Sequence, residues 1–365
     1  MSVNPNRIGA GVGVGIVGGG FMATVHARAA RTAGATLVGV VASTPARSAQ
    51  VAEELGAERA FDTLEDLLAD ERITVVHVCT PNALHAEQAA AVIAAGKHVV
   101  CEKPLATTPA EARSITEAAE AAGVIATVPF VYRFHPMARE ARAQIAAGGR
   151  VLTIGGEYLQ DWLAAADSDN WRVDSAQGGN SRAFADIGSH LVDLIEFIGG
   201  DRIHSLFART RTFLAERSGT GTVTTEDAVS VSFETVGGAI GTLLVSQVAP
   251  GFKNGLVLKI SATDSSIVFE QEQPDSLWLG KIAENRVLPR EAERLDADAA
   301  RLCVVPSGHA QGYQDAFNGF VADTYAAIAG ETPVGLPTFA DGLRAGIITQ
   351  AVLDSAASGQ TVVLD

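Results

Sequence analysis

Two segments of this 365-residue sequence place side chains that could do acid–base chemistry together: Lys103, in Glu102-Lys103-Pro104, and Asp186 and His190, in Asp186-Ile187-Gly188-Ser189-His190. A hydride leaves an alcohol carbon readily only if the hydroxyl proton is removed, and histidine, titrating near neutral pH, suits that task. The same His190 would return the proton when a ketone is reduced. The ammonium of Lys103 would stabilise the developing alkoxide by charge and hold substrate hydroxyls. Asp186 and His190 are four apart at what reads as a helix start, so they share a face and Asp186 would orient or tune the imidazole. Asp186 could equally cap that helix, or join His190 and Asp193 on a divalent metal. No further carboxylate or histidine cluster completes such a site, so no metal is expected. Lys103 also admits a plain reading as an exposed lysine after a strand, although Pro104 would fix its aim, with a cis bond possible there.

A second constellation lies near the start. Gly18-Gly19-Gly20-Phe21-Met22-Ala23 follows an apolar run and opens an amphipathic one, giving the strand–turn–helix context in which a GxGxxG/A pattern binds a dinucleotide. Gly18 serves the tight turn, Gly20 the approach of the pyrophosphate, and Ala23 the packing of the helix. The overlapping match Gly13-x-Gly15-x-x-Gly18 falls inside the strand and leaves no loop for a phosphate. About 20 residues on, where an acid would read the adenosine ribose, stands Ser43 in Ser43-Thr44-Pro45-Ala46-Arg47. Two hydroxyls and a guanidinium with no carboxylate favour NADP(H) over NAD(H), with NAD still possible. Arg47 could otherwise be a solvated helix residue.

The elements that must position these groups come in two styles. Short apolar runs at Val12–Val17, Thr36–Ala42, Val75–Cys79, His98–Cys101 and Val124–Val128 alternate with helical stretches at Ala23–Thr32, Pro45–Leu55, Leu64–Ala69, Ala86–Ala95 and Pro109–Ala122. Strands without period-two alternation are covered on both faces, so this half is α/β with a doubly wound parallel sheet. After Arg133 alternating strands dominate, at Val151–Leu159, Ile203–Thr212, Asp227–Glu234, Ala239–Val248, Leu256–Ala262 and Ser266–Gln271, with helices at Gly188–Ile198, Gln311–Ala329 and Phe339–Ser358. That half reads as an α+β domain with a large, mostly antiparallel open sheet. The expected boundaries are residues 1–130 for a dinucleotide-binding domain and 131–365 for a substrate-binding and oligomerisation domain, with a cleft implied. Residues 275–306 carry no clear pattern.

Thr80-Pro81-Asn82-Ala83-Leu84-His85, Glu102-Lys103-Pro104 and the Asp186 to His190 segment, taken in order with the glycine loop, resemble the glucose-fructose oxidoreductase/inositol dehydrogenase (Gfo/Idh/MocA) family of two-domain enzymes. The resemblance spans the chain from Val12 to the last helix. It implies a Rossmann domain, a catalytic Lys103, a site completed by Asp186 and His190, and a cofactor pocket lined by the Thr80, Pro81, Asn82 and His85 segment beside Glu102. The run from Ser43 to Arg47 is similar to that of anhydrofructose reductases. The implied activity is reversible oxidation of a sugar, polyol or anhydrosugar. Related folds also host nicotinamide-dependent glycosidases, and non-enzymatic nucleotide sensors that the intact Lys103, Asp186 and His190 argue against.

Substrate contacts are expected where aromatic and polar side chains concentrate, because sugars offer apolar faces and many hydroxyls. Tyr132, with Arg133 reaching a hydroxyl or the nicotinamide carboxamide, stands at the junction of the two halves; Tyr158, Gln160 and Trp162 follow at a strand end. Trp171 and Arg172 could serve either ligand, and His309 and Tyr313 could meet hydroxyls from the start of a late helix. The 47% hydrophobic and 19% charged composition is that of a globular chain, and a net charge of −15 disfavours nucleic acid and acidic headgroups. No apolar run reaches the roughly 18 residues of a membrane span, and residues 1–11 show no signal pattern, so a cytoplasmic protein is expected. Cys79, Cys101 and Cys303 have no ligand or disulfide spacing. One sheet face needs cover, and in the family that face commonly meets another subunit, which implies a homodimer or homotetramer.

Overall fold

In the computed structural model residues 9–168, 170–217 and 221–364 are described. They fall into two compact units, one drawn from Met1–Val131 and Gln314–Leu343, the other from Tyr132–Tyr313 and Arg344–Asp365.

The first unit is built on β1 (Gly13–Val17), β2 (Thr36–Val41), β3 (Arg59–Ala60), β4 (Val75–Val78), β5 (His98–Cys101) and β6 (Ala126–Thr127), all parallel, in the order β3-β2-β1-β4-β5-β6. Every residue of β1 and β4 is buried, which is why neither run alternates. The helices begin where the sequence signals them. Thr44 accepts from the Arg47 amide at the head of Pro45–Leu55, and Thr108 and Glu111 form a reciprocal capping box at the head of Pro109–Ala122.

The expected contiguous boundary after residue 130 misses a return of the chain. The helix Tyr313–Ile328 and the segment behind it belong with the first unit from Gln314 onward. There Thr324 Oγ1 meets Thr127 Oγ1 at 3.2 Å, Pro337 O accepts from Val128, and Phe339 joins the core around Ile115 and Leu105. Such pairing spans some two hundred positions, so no local pattern announces it.

The second unit carries β7 (Val151–Leu159), β8 (Ile203–Arg211), a small ribbon of β9 (Glu216–Arg217) and β10 (Gly221–Thr222), then β11 (Ala228–Thr235), β12 (Ile240–Ser246), β13 (Gly255–Ala262), β14 (Ser266–Glu270), β15 (Ser276–Gly280), β16 (Asn285–Pro289) and β17 (Val362–Val363). Nine strands form one open sheet, β16-β15-β14-β13-β7-β12-β11-β8-β17, antiparallel except for β7 with β12. The helix Ser189–Gly199 packs on it so closely that a Cβ on Gly156 would lie 3.0 Å from Leu243 and 3.2 Å from Leu191.

Three local features differ from the sequence reading. Residues 275–306 contain β15 and β16. The helix Pro136–Ala147 went unforeseen because Arg139 and Glu140 lie buried on it beside Met137, Ala138, Ala141 and Ile145: the Arg139 guanidinium stacks over Phe134 and Phe197 and pairs with Asp298 at 2.8 Å, so charge interrupts the apolar inward face. The last part of the chain's second half begins its helix at Tyr313 rather than Gln311, leaving His309 exposed in the preceding loop.

Candidate functional site

The glycine loop closes the end of β1. Gly18 has φ +115°, and a Cβ there would fall 2.6 Å from the carbonyl oxygen of Cys79, so glycine alone fits between β1 and β4. A Cβ on Gly20 would meet nothing within 4 Å, so the backbone at this helix start is open to an approaching group. The helix Phe21–Thr32 has no acidic residue in its first turn and no side-chain cap at Gly20, a start suited to an anion. Phe21 is 74% exposed beside it, and Ala23 is buried in the packing position. Ser43 and Thr44 are exposed at the end of β2. Arg47 returns toward the loop, donating to Gly19 O at 2.7 Å while pairing loosely with Glu54 at 3.3 Å. Glycine loop, both hydroxyls and Arg47 therefore form one neighbourhood.

Lys103 sits on a loop fixed from both flanks. The Lys103–Pro104 bond is cis. His85 is buried at the head of its helix, with Nδ1 2.8 Å from Pro104 O and Nε2 2.8 Å from Thr80 O, tying the Thr80-Pro81-Asn82 turn to the lysine loop. Burial lowers the His85 pKa, opposed by those two carbonyls. Glu102, also buried, accepts from the Lys103 amide at 3.1 Å and from His26 Nε2 at 2.9 Å. Burial opposes its ionisation, yet the His26 hydrogen bond and the charge on Lys103 hold its carboxyl below the usual value.

In the second unit Asp186 is delivered by a widened turn, Phe184–Gly188, in which the Ser189 amide donates five residues back to Phe184 O. A Cβ on Gly188 would collide with the Phe184 ring at 2.6 Å. Such wide turns recur at functional sites because they re-aim a side chain without ending the helix. Asp186 accepts from Gln247 at 2.8 Å and pairs with Arg172 at 3.3 Å, whose guanidinium stacks 4.4 Å over Trp171. His190, buried on the following helix, packs against Tyr132 with ring centroids 4.9 Å apart.

From Tyr132 a polar network spreads through the strand ends. Its hydroxyl lies 2.6 Å from that of Tyr158, Tyr158 donates to Asn254 Oδ1, Gln160 donates to the same oxygen, and the Trp162 indole donates to Gln160. Asn254 Nδ2 donates back to Tyr132 and on to Gln271. Burial pushes both phenols above their ordinary pKa, and nearby Asp186 adds to the shift. Tyr313 lies near enough to Tyr158 to raise it further. Arg133 pairs with both carboxylate oxygens of Asp193 and lies over Phe197. Asp193 is thus an ion-pair partner, and among the described residues no three His, Cys, Asp or Glu gather as a metal group.

The structure brings together Gly18, Gly20, Ser43, Thr44 and Arg47; then Thr80, His85, Glu102 and Lys103; then Tyr132, Gln160, Trp162, Trp171, Arg172, Asp186 and His190. Asn254, Gln271 and Gln247 were missed because each reaches its partner only through strand pairing. His26 and His77 were missed as apparently ordinary helix and strand residues. Among the described residues no helix is long and apolar enough to cross a membrane.

Comparison with known proteins follows the same division. Residues 12–130 match the model of an oxidoreductase family with an NAD-binding Rossmann fold, and residues 138–268 match the GFO/IDH/MocA C-terminal domain. A levoglucosan dehydrogenase of Pseudarthrobacter phenanthrenivorans is 31% identical, covering 94% of this chain and 96% of its own. Two solved structures superpose over 97% of this chain and 99% of theirs: an oxidoreductase domain protein of Kribbella flavida, 34% identical with a TM-score of 0.90, and a levoglucosan dehydrogenase in complex with NADH and levoglucosan, 30% identical with a TM-score of 0.91. With the Rossmann unit and the sheet unit both matched over more than half the chain, the protein belongs to the GFO/IDH/MocA family of nicotinamide-dependent oxidoreductases.

Proposed function

We propose that the protein is a dehydrogenase of a secondary alcohol on a sugar, polyol or anhydrosugar, with levoglucosan the first substrate to try. The observation that carries this reading is the network Tyr132–Tyr158–Asn254–Gln160–Trp162, which ends one side chain from His190 and offers aromatic faces with ordered hydroxyl and amide groups. The levoglucosan dehydrogenases named above support the substrate class by likeness over almost the whole chain.

The bound nicotinamide supplies the hydride acceptor for oxidation and the donor for reduction. Gly18, Gly20, Phe21 and Met22 would receive its pyrophosphate at the helix start, with Thr80, Pro81, Asn82, Glu102 and Lys103 lining the remainder. Ser43, Thr44 and Arg47 suit a 2′-phosphate, so NADP(H) is the preferred form. His190 takes and returns the hydroxyl proton, Asp186 sets its orientation and electrostatics, and the Lys103 ammonium stabilises the alkoxide. Tyr132, Gln160, Trp162 and Tyr313 hold hydroxyls, and Trp171 and Arg172 hold either ligand. Ile240 and Leu244, exposed on one face of β12, support a homo-oligomer built through the open sheet, readable by light scattering on a sizing column.

The test is oxidation of levoglucosan, other anhydrosugars, monosaccharides and polyols with NAD+ and with NADP+, followed by nicotinamide absorbance. Turnover of at least one cyclic sugar, lost in His190→Ala, is expected. Tight dinucleotide binding with no turnover of any sugar would overturn the reading.

A further inference from the structure

Buried beneath the lysine loop, four side chains from four different elements of the first unit touch end to end. Tyr325 on the helix Tyr313–Ile328 lies with its hydroxyl 3.0 Å from His77 Nε2; His77 on β4 places Nδ1 2.8 Å from His26 Nδ1; His26 on the helix Phe21–Thr32 places Nε2 2.9 Å from Glu102 Oε1; and Glu102 Oε2 takes the Lys103 amide at 3.1 Å. His26, His77 and Tyr325 have no exposed surface. The edge of Phe317, on the same helix as Tyr325, closes over the His26 ring at 4.6 Å.

A proton inventory gives this chain a direction. A neutral imidazole has one donor and one acceptor, a phenol can end a chain by donating, and an ionised carboxylate only accepts. With Tyr325 O–H donating to His77 Nε2, His77 Nδ1–H to His26 Nδ1, and His26 Nε2–H to the Glu102 carboxylate, every buried proton has an acceptor. Reversing it requires a protonated Glu102 or a cationic His26. Either would make His77 donate to Tyr325 and leave the tyrosine hydroxyl proton without an acceptor in a dry interior, which is costly.

We propose that Tyr325, His77 and His26 are positioning residues that fix the tautomers of this chain so that Glu102 is held as a carboxylate against the Lys103 peptide. Tyr325 sets the direction, and the return of residues 314–343 to the first unit is what supplies it. The consequence for Lys103 rests on the role proposed for it above; the tautomer chain does not. An ionised Glu102 accepts from the Lys103 amide and holds that loop in place, so loss of His26, His77 or Tyr325 acts on the lysine through its loop.

The test uses the full-length protein labelled with 15N-histidine and 13C-glutamate. At neutral pH, His77 is expected as the Nδ1–H tautomer and His26 as the Nε2–H tautomer. A cationic His26, or His77 in the Nε2–H form, would overturn the proposal whatever the enzyme turns over. In His26→Phe the Glu102 carboxyl should titrate higher by about one pH unit, and in Tyr325→Phe the two tautomers should lose their single assignment. His26→Gln, whose amide can still donate to Glu102, should restore the titration even where thermal stability is not restored; should His26→Phe fail to fold, Tyr325→Phe and His26→Gln still decide the matter. An unmoved Glu102 titration in the variants would sink the relay, and failure of every sugar with the tautomers as expected would sink only the activity.

Discussion

The two units organise their polar groups by opposite means. In the first, the groups around Lys103 come from loops at strand ends and are tied by histidines: one ring bridges Thr80 and Pro104, and another reaches Glu102. In the second, the groups around His190 are cross-braced, with Asn254 alone joining Tyr132, Tyr158, Gln160 and Gln271, and with buried ion pairs behind them. Arg182 and Arg217 both reach Asp227 in full burial, and Arg217 also donates to the carbonyls of Leu163 and Ala165, pinning the segment that follows Trp162. A parallel sheet presents its loops at one edge and needs only short ties to aim them. An open sheet has to hold long loops over one face, and does so with buried charge.

The sharpest way to break this contrast is to remove one charge from each side. Lys103→Met is expected to lower kcat about 10³-fold while the melting temperature barely moves. A loss under tenfold in steady-state kinetics would remove Lys103 from the chemistry. Arg182→Met should instead act on folding, lowering unfolding free energy by about 3–5 kcal/mol in urea because Asp227 loses a buried partner. The solvent-exposed pair of Arg72 with Glu58 in the first unit is the control: Glu58→Gln should leave the urea midpoint where it is.

Acid provides a third lever. Burial holds His135, in the second unit, at about 4 against an ordinary 6.5, and holds His77 of the first unit well below 6.5. Both are neutral when folded, so the unfolded chain binds their protons first as pH falls. Stability from His135 is therefore present above 6.5 and is lost between 6.5 and about 4, a span worth about 3 kcal/mol. Urea midpoints across that range should fall, and His135→Phe should flatten the curve; an unchanged slope in that variant would contradict the assignment. Smaller effects separate the two ligands. Asn254→Ala should raise the sugar KM about tenfold with cofactor affinity unchanged, and Arg47→Ala should weaken NADP(H) about tenfold while NAD(H) binds as before.

Legibility in the sequence followed the range of the interactions. The glycine loop, Ser43 to Arg47, and the segments carrying His85 and Lys103 were readable because turn chemistry and helix caps act within a few residues. The strands β7, β8 and β11 to β14 were readable from alternation. The wide turn at Phe184–Gly188 was read as an ordinary helix start, since a five-residue hydrogen bond leaves no mark on periodicity. The helix Pro136–Ala147 was passed over because its buried arginine and glutamate imitate a solvated face.

By itself, the sequence determined the α/β and α+β halves, the family and the glycine-loop register, and it singled out Lys103, Asp186 and His190 as the residues to test, since each is written in neighbouring residues or in motifs kept in order. Only the tertiary structure decided that residues 314–343 return to the first unit, that Asn254 ties the tyrosines together, and that His26, His77 and Tyr325 line up beneath Glu102. Those contacts join elements tens to hundreds of residues apart, and a hydrogen bond depends on ångström placement that hydrophobic periodicity does not encode.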